Sequence, residues 1–356
     1  MELIFTVFIT ISYVLTPGAS GATSLFNVVH YGAVGDGKTD DSAVFSKAWK
    51  ATCNAPARNP ILSIPAAKIF LLKPVTFSGP CKSTSIHVLM SGNIVAPNSK
   101  MAWKGFHINR WLAFTHVNGL TIIGSGTING RGAAWWSQPC LHKVPKGVTC
   151  KRPTALTFYR CNGLVLKGIR HINSQRNHIT ISNCKDVTFS NLHISAPKTS
   201  PNTDGIDISV VAGDDCIATS SDSSHINITG IACGPGHGIR EALEMHGGSH
   251  SRKSGSFEPI APIIIDQYYC PSRVNCKNET SGIRISDVSY RSIIGTSTTD
   301  KVINLSSVQN VGCTDIQFNY VYITPTDVPG KKAYAFSFNA HGNYTHTSPV
   351  VKRLQA

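Results

Sequence analysis

One short phrase recurs along this chain, and it limits the folds that the chain can adopt. Each copy puts two or three Val, Ile, Leu or Phe residues next to a turn-forming or polar residue. The copies occupy residues 163–166, 186–189, 225–228, 282–285 and 315–318. Leu164 and Val187, at matching places in the first two copies, are 23 residues apart. Short strands that repeat with this period predict an all-β parallel β-helix, in which each coil stacks on the preceding one.

A β-sandwich is the alternative fold, since it also contains many short strands. It prefers hairpin turns and strand spacings of about 8 to 12 residues, which this sequence does not follow. The clearest helix signal covers residues 40–53, with Asp41 or Ser42 as the expected cap. We expect this helix to close the N-terminal end of the β-helix and to protect its strand edge. The residues assigned to its apolar side are Ala43, Val44, Ala48 and Ala51.

The spacing from Val187 to Ile226 breaks the period. This interval is 39 residues, longer than one coil of 23 and seven residues short of two. We therefore expect a bulge or a missing segment between these two residues.

The N-terminus predicts export from the cell. The short apolar run from Leu3 to Leu15 is followed by small residues, which is typical of a secretory signal, with a buried N-terminal strand as the alternative. Residues 1–22 are assigned to this signal and residues 23–356 to a single domain. No other segment is apolar enough to cross a membrane, so we expect an extracellular protein that does not bind membranes.

The cysteines and glycosylation sequons fit the same compartment. The chain has 11 cysteines, an odd number, and most are expected to form disulfides after secretion. Candidate N-glycosylation sites are Asn227, Asn278, Asn304 and Asn343.

The charge balance predicts an anionic partner. Lys and Arg number 33 against 19 Asp and Glu, a formal net charge of +14. Nucleic acid, acidic lipid and acidic polysaccharide are all compatible with this charge. A secreted chain without a recognisable basic motif or aromatic platform gives little support to nucleic acid.

Three acids and a histidine form the strongest catalytic candidate. Asp204, Asp214, Asp215 and His237 lie within 34 residues, each beside a glycine or another acid. Hydrolysis of a glycosidic bond uses one protonated carboxyl group as acid and one ionised carboxylate to activate water. Repulsion between adjacent aspartates raises the pKa of one of them, which suits an acid. Taken singly, these residues are more often a solvated turn or a calcium site.

The motifs around these residues resemble those of the plant polygalacturonases, which are pectin-degrading glycoside hydrolases. The resemblance extends from about Phe26 almost to the C-terminus, and the matching segments are 31–41, 126–132, 200–205, 213–216, 233–238 and 265–270. It implies a right-handed parallel β-helix that cleaves α-1,4 bonds between galacturonates with inversion and without a metal or organic cofactor. By resemblance, Asp214 is the general acid, Asp204 and Asp215 hold and activate the water, and His237 supports the acid. Anionic pectin of the cell wall is then the expected partner of a monomeric protein.

The sequence also departs from this family. Asp204 and Asp214 are ten residues apart, whereas family members place them about one coil apart. The family's Arg-Ile-Lys motif, which grips a substrate carboxylate, is absent, and Arg240 is a candidate for the arginine's place. Arg252 and Lys253 match the motif in charge more than in position. We therefore infer internal deletions near residues 208–212 and 239–261.

The resemblance also suggests how the cysteines pair. The expected pairs are Cys216 with Cys233, Cys270 with Cys276, and Cys53 with Cys81. Ser307 stands where the family has a partner for Cys313, which makes Cys313 the candidate for the unpaired thiol. Ser337 and Arg353 replace both halves of a further pair.

These observations leave two classes of function and one variant open. The first is a secreted polygalacturonase-type hydrolase. The second is a catalytically impaired pectin-binding β-helix, such as a truncated splice form. The variant is a hydrolase of rhamnogalacturonan or xylogalacturonan. A pectate lyase fits less well, because it would use calcium and an arginine base.

Overall fold

A computed structural model describes most of the chain outside the predicted signal. The described residues are 24–106, 108–136, 152–197, 200, 203, 205–208, 217–219, 224–229, 232–234, 239–242, 263–268, 285–286, 288–297, 299–325, 332–352 and 354. No helix among them is long and apolar enough to cross a bilayer.

The described chain consists almost entirely of short strands. Helix α1 (Ser42–Cys53) and the single turn α2 (Ala133–Trp136) are its α-helices, and 3-10 turns cover Val28–Tyr31 and Lys100–Trp103. The strands are β1 (Leu25–Asn27), β2 (Asp36–Asp40), β3 (Ile61–Ile64), β4 (Ile69–Leu71), β5 (Val75–Ser78), β6 (Ile86–Met90), β7 (Asn93–Val95), β8 (Arg110–Thr115), β9 (Leu120–Ile123), β10 (Thr127–Asn129), β11 (Thr154–Tyr159), β12 (Val165–Lys167), β13 (Arg170–Ile172), β14 (Ile179–Ser182), β15 (Lys185–Ser190), β16 (His193–Ser195), β17 (Ile206–Ile208), β18 (Ile217–Thr219), β19 (Ser224–Thr229), β20 (Ala232–Gly234), β21 (Ile239–Ala242), β22 (Ile263–Asp266), β23 (Ile285–Ser286), β24 (Ser289–Ser297), β25 (Lys301–Ser306), β26 (Cys313–Pro325), β27 (Tyr334–Phe338) and β28 (Ala340–Ser348).

The strands stack into parallel sheets that run along one axis. Sheet A has the order β1-β3-β6-β9-β12-β15-β19, and sheet B has the order β2-β4-β7-β10-β13-β16-β20. Sheet C has the order β27-β25-β22-β21-β18-β17-β14-β11-β8-β5. Sheet D joins β23, β24 and β28 to β26. Because successive strands visit the sheets in turn and pair in parallel, the fold is the predicted parallel β-helix.

The interior is built from residues at alternate positions of each strand. In β6, Ile86, Val88 and Met90 are buried, whereas His87 and Leu89 face outward. The same interior position on neighbouring coils stacks side chains of one kind, as in Phe77 on Phe114 (ring centroids 4.8 Å apart) and Phe114 on Phe158 (5.6 Å). Each coil therefore buries its apolar side only against the next coil.

The repeat predicted from the sequence is the true coil period at its clearest point. Val165 pairs with Thr188 and Leu166 with Phe189, both offset by the expected 23 residues. Sheet strands of this kind lie about 4.8 Å apart, so one coil advances the axis by that distance.

Helix α1 covers the N-terminal end, as predicted, but its apolar side was assigned to the wrong residues. Phe45, Ala48 and Trp49 are buried, whereas Ala43 is exposed. The rings of Phe45 and Trp49 pack against Phe70 and Phe77 of the first coils. Larger aromatic side chains reach the core that the small alanines cannot fill.

The expected side-chain cap of α1 is also absent. Asp41 is the residue before the helix, but its side chain makes no capping hydrogen bond. Its carboxylate instead accepts from the backbone N–H groups of Val34 (2.8 Å) and Gly35 (3.1 Å). Ser42 uses its hydroxyl to accept from Lys73 N at 2.7 Å. Both side chains thus tie the helix start to neighbouring loops.

The 39-residue interval contains an extra strand of sheet C. Val187 of β15 pairs directly with Ile226 of β19, and β16 pairs directly with β20. Between them, sheet C contains two strands, β17 and β18, which pair with each other. The interval thus holds one coil of sheets A and B but two strands of sheet C, which explains why it fits neither one coil nor two.

The predicted cysteine chemistry agrees with the structure where it is described. Cys53 and Cys81 form a disulfide. Cys313 is fully buried, carries a thiol and contacts the Ser307 hydroxyl. The remaining predicted pairs lie outside the described residues. Ser337 is buried and donates to Ala340 O at 3.5 Å, while Arg353 is not described.

Candidate active site

The four predicted catalytic residues, Asp204, Asp214, Asp215 and His237, lie outside the described residues. The strands that follow each of them in the chain are described, however. These strands define where the chain segments meet.

Four neighbouring strands of sheet C start in register. Ile179 of β14 pairs with Ile206 of β17, which pairs with Ile217 of β18, which pairs with Ile239 of β21. In the sequence, Asp204, Asp215 and His237 each come two residues before one of these isoleucines, and Asp214 comes three before. We call the starts of β14, β17, β18 and β21 the candidate edge.

The residues on either side of Asp204 are fixed by hydrogen bonds. Ser200 is buried, donates to Pro197 O at 2.5 Å, and its Oγ lies 2.8 Å from Thr203 Oγ1. After Asp204, the Gly205 carbonyl accepts from Ile179 N at 2.9 Å. The segment that carries Asp204 is therefore attached to the start of β14.

A buried polar turn supports the candidate edge. Residues 173–178 precede β14, and Ser174, Gln175 and Asn177 are almost fully buried. Ser174 Oγ donates to Asn177 O at 2.8 Å, and Gln175 Nε2 donates to Gly130 O at 2.6 Å. Because buried polar groups are costly unless they are hydrogen-bonded, these bonds hold the turn in one conformation.

The sequence did not single out this turn. The signal that would have identified it is the register, because Asn177 precedes Ile179 by two residues as Asp204 precedes Ile206. Finding it requires the strand pairs, which a sequence with an irregular coil length does not reveal.

The glycine-rich segment 126–132 packs beneath the same turn. A Cβ added at Gly132 would lie 2.2 Å from Ser174 O, and one at Gly130 would lie 2.7 Å from Asn173 O. Any side chain at these positions would push the turn away from β10. This close approach explains the glycines of that motif in physical terms.

A pair of buried histidines lies beside the turn. His171 of β13 and His178 are both about 1% exposed, and their Nδ1 atoms lie 2.9 Å apart. One Nδ1–H must donate to the other Nδ1, so both rings are neutral. Burial lowers the pKa of His178 to about 3, and burial together with His178 holds the pKa of His171 well below its usual value. Their Nε2 atoms have no hydrogen-bond partner among the described residues.

Arg240, the candidate substitute for the missing Arg-Ile-Lys motif, lies on β21. Its Cα partners are Ala218 of β18 and Ile264 of β22. It therefore occupies a strand next to the candidate edge. Arg252 and Lys253 lie outside the described residues.

The candidate glycosylation residues fall on different parts of the fold. Asn227 lies on β19, Asn304 on β25 and Asn343 on β28. Asn278 lies outside the described residues. The described residues contain no group of three or more His, Cys, Asp or Glu side chains that could hold a metal ion.

Comparison with known proteins decides the family. The model for glycosyl hydrolases family 28 matches residues 53–241 and 258–339, well over half of the chain. The chain belongs to glycosyl hydrolase family 28. A polygalacturonase of Persea americana is 37% identical over 335 residues, covering 81% of this chain and 71% of that protein. Membership of this family makes the protein a glycosidase by descent.

Solved structures of the same fold agree with the architecture. Endo-xylogalacturonan hydrolase from Aspergillus tubingensis matches with a TM-score of 0.58 and 17% identity, covering 88% of this chain and 99% of that one. Polygalacturonase from Erwinia carotovora matches with a TM-score of 0.54 and 16% identity, covering 94% and 100%. The family 28 chain therefore has the predicted right-handed parallel β-helix fold.

Proposed function

We propose that this family 28 protein hydrolyses the α-1,4-galacturonosyl bonds of pectin by inverting acid–base catalysis. The register of the candidate edge carries the proposal. Because Ile206, Ile217 and Ile239 lie side by side, the segments with Asp204, Asp215 and His237 enter sheet C at the same edge. Neighbouring strands are about 4.8 Å apart, so residues on strands one or two apart span the range of about 6.5 to 9.5 Å that inversion uses.

The proposed roles follow from the chemistry of the residues. Asp214 protonates the leaving oxygen, and repulsion from the adjacent Asp215 favours its protonated form. Asp204 and Asp215 orient and deprotonate the attacking water on the opposite side of the sugar ring. His237 supports the acid. In this mechanism the protein needs no metal or organic cofactor.

The substrate class is supported by charge. Galacturonate units carry carboxylates, and the chain has a net charge of +14, so long-range attraction favours pectin over neutral polysaccharides. The xylogalacturonan hydrolase with the same fold makes branched pectin the alternative substrate. Product analysis on homogalacturonan, xylogalacturonan and rhamnogalacturonan distinguishes these substrates.

The test of hydrolysis is the release of reducing ends from polygalacturonate. We expect Asp214→Asn to lose at least a hundredfold in rate, since general acid catalysis contributes about 10² to 10⁴. Asp315→Asn is the matched control, because Asp315 is an exposed acid of sheet D whose positive φ of 54° asparagine also tolerates. Equal rates for the wild type and Asp214→Asn would refute the assignment. A product released with retained anomeric configuration would refute inversion alone.

A pectin-binding protein without hydrolytic activity is the second candidate. Its support is the direct pairing of β17 with β18 and of β21 with β22, at the two places where the sequence lacks residues. In that case polygalacturonate binding that weakens with salt would remain, while neither the wild type nor Asp214→Asn would release reducing ends.

We also propose that the protein is secreted and acts at the cell wall. The apolar run from Leu3 to Leu15 and the Cys53–Cys81 disulfide support export, because disulfides persist in oxidising compartments. The N-terminal sequence of secreted material tests the cleavage near residue 22. Glycan occupancy at Asn227, Asn278, Asn304 and Asn343 is measured by mass spectrometry of the same material.

A further inference from the structure

Three aromatic side chains form an exposed row on the last strand of sheet C. Tyr334, Phe336 and Phe338 alternate along β27 and are 46%, 43% and 43% exposed. Ser337, between two of them, is buried on the opposite face. We call these three residues the aromatic ladder. The sequence analysis found no aromatic platform, because period-two spacing within one five-residue strand is not distinctive in sequence.

The aromatic ladder costs free energy in water unless something covers it. Exposed apolar side chains grouped in one patch are typical of binding surfaces, whereas isolated ones need no explanation. The interior face of β27 already contributes to packing, since Ala335 and Ser337 pair with the buried Ile303 and Leu305 of β25. The outward aromatics are therefore not required to complete the core.

The ladder is part of the same sheet as the candidate edge. Phe336 pairs with Asn304, Asn304 with Ile264, and Ile264 with Arg240 of β21. Three strand intervals separate Phe336 from Arg240, a distance of about 14 Å along the axis. A polysaccharide that lies across the strands at the candidate edge would reach the ladder after a few sugar units.

The charges around the ladder suit an acidic sugar. Lys301 Nζ lies 5.9 Å from the centre of the Phe336 ring, and Lys332 is exposed two residues before Tyr334. At the opposite end, Asp266 is in register with Ser306, which is in register with Phe338. The cationic end is therefore at Tyr334 and Phe336. A sugar ring stacked there would have its carboxylate close to a lysine.

We propose that the aromatic ladder and Lys301 form a remote subsite for galacturonate units of a pectin chain. One face of a pyranose ring presents C–H groups, which pack on the negative face of an aromatic ring. Lys301 would pair with the carboxylate of the same unit or of its neighbour. The choice of ligand rests on the proposed function, whereas the existence of the subsite rests on the ladder and its position in sheet C.

The test is the affinity for polygalacturonate, measured directly and without turnover. All proteins carry Asn304→Gln, so that no glycan on the neighbouring strand can cover the ladder. We expect Phe336→Ala to weaken binding by roughly three- to tenfold, which is the range of one lost aromatic contact. Tyr322→Ala is the matched control, because Tyr322 is 42% exposed on sheet D, and it should leave the affinity unchanged. The loss should disappear for oligogalacturonates too short to span the distance to β21.

The outcomes separate this subsite from the proposed function. Unchanged affinity of Phe336→Ala, or an equal loss with short and long ligands, would overturn the subsite even if the wild type hydrolyses polygalacturonate. Conversely, a length-dependent loss in a protein that releases no reducing ends would support the subsite and refute the hydrolase. A concentration-dependent dimer of the wild type that Phe336→Ala abolishes would assign the ladder to a second copy of the chain instead.

Discussion

The contact between Ser307 and Cys313 predicts that one substitution will create a new disulfide. Both residues are fully buried, and Ser307 Oγ touches Cys313 Sγ. Their backbone positions are fixed, since Ser307 N donates to Phe338 O at 3.1 Å and Cys313 N donates to Asn339 O at 3.0 Å. In Ser307→Cys, two sulfur atoms would therefore face each other without a change in the backbone.

The size of the effect follows from the loop that the bond would close. The two residues are six apart in sequence. With the chain-entropy relation for cross-links, a loop of this length removes about 7 cal/mol/K from the unfolded state, or about 2 kcal/mol at 25 °C. In a chain of 356 residues this corresponds to an increase in Tm of about 4 °C.

Thermal unfolding and thiol titration together measure this effect. Ser307→Cys has 12 cysteines instead of 11, but under denaturing, non-reducing conditions it should show one thiol fewer than the wild type. The gain in Tm should vanish in reducing buffer. Ser307→Ala, which removes the hydroxyl without offering a sulfur atom, should not gain stability. One additional thiol in Ser307→Cys, with no gain in Tm, would show that the two side chains are not in contact.

Two further predictions concern buried polar groups. Unfolded histidine binds a proton below about pH 6.5, whereas the His171–His178 pair stays neutral, so the unfolded state binds more protons and stability falls as the pH decreases from 6.5. Urea unfolding should show a loss of about 3 kcal/mol between pH 6.5 and 5.0, which the exposed-site control His193→Gln retains and His178→Asn reduces. Asp41→Ala should lower the free energy of unfolding by about 3 kcal/mol, because two backbone N–H groups lose their acceptor; a loss below 1 kcal/mol would contradict the hydrogen bonds seen here.

The fold could be predicted because each coil repeats the same physical solution. The offset of 23 residues between Leu164 and Val187 recurs as a strand register, since each coil must place its apolar residues over those of the coil below. The end helix was also predicted correctly in position. Its buried face was not, because the alanines of 43–51 were assigned to the core and the aromatic residues Phe45 and Trp49 were overlooked.

The candidate site was predictable in part only. The acids and His237 were identified by residue type and spacing, and these stay predictions. The polar turn at 173–178 and the histidine pair could not be identified in this way. His171 faces the interior from β13, while His178 belongs to the turn before β14, so their contact depends on how one coil bends. Nothing in the local sequence around either histidine indicates that bend.

The short interval before the candidate edge bears differently on the site and on the core. Residues 209–216 connect β17 to β18 and span at most about 26 to 29 Å when extended, more than the roughly 10 Å needed to return along a three-residue strand. Sheet C therefore keeps an unbroken register through this interval, although sheets A and B have one strand each where sheet C has two. The core beneath β17 and β18 consequently lacks the packing that a full coil would supply. We expect the short interval to reduce the stability of this region more than it changes the order of the strands at the candidate edge.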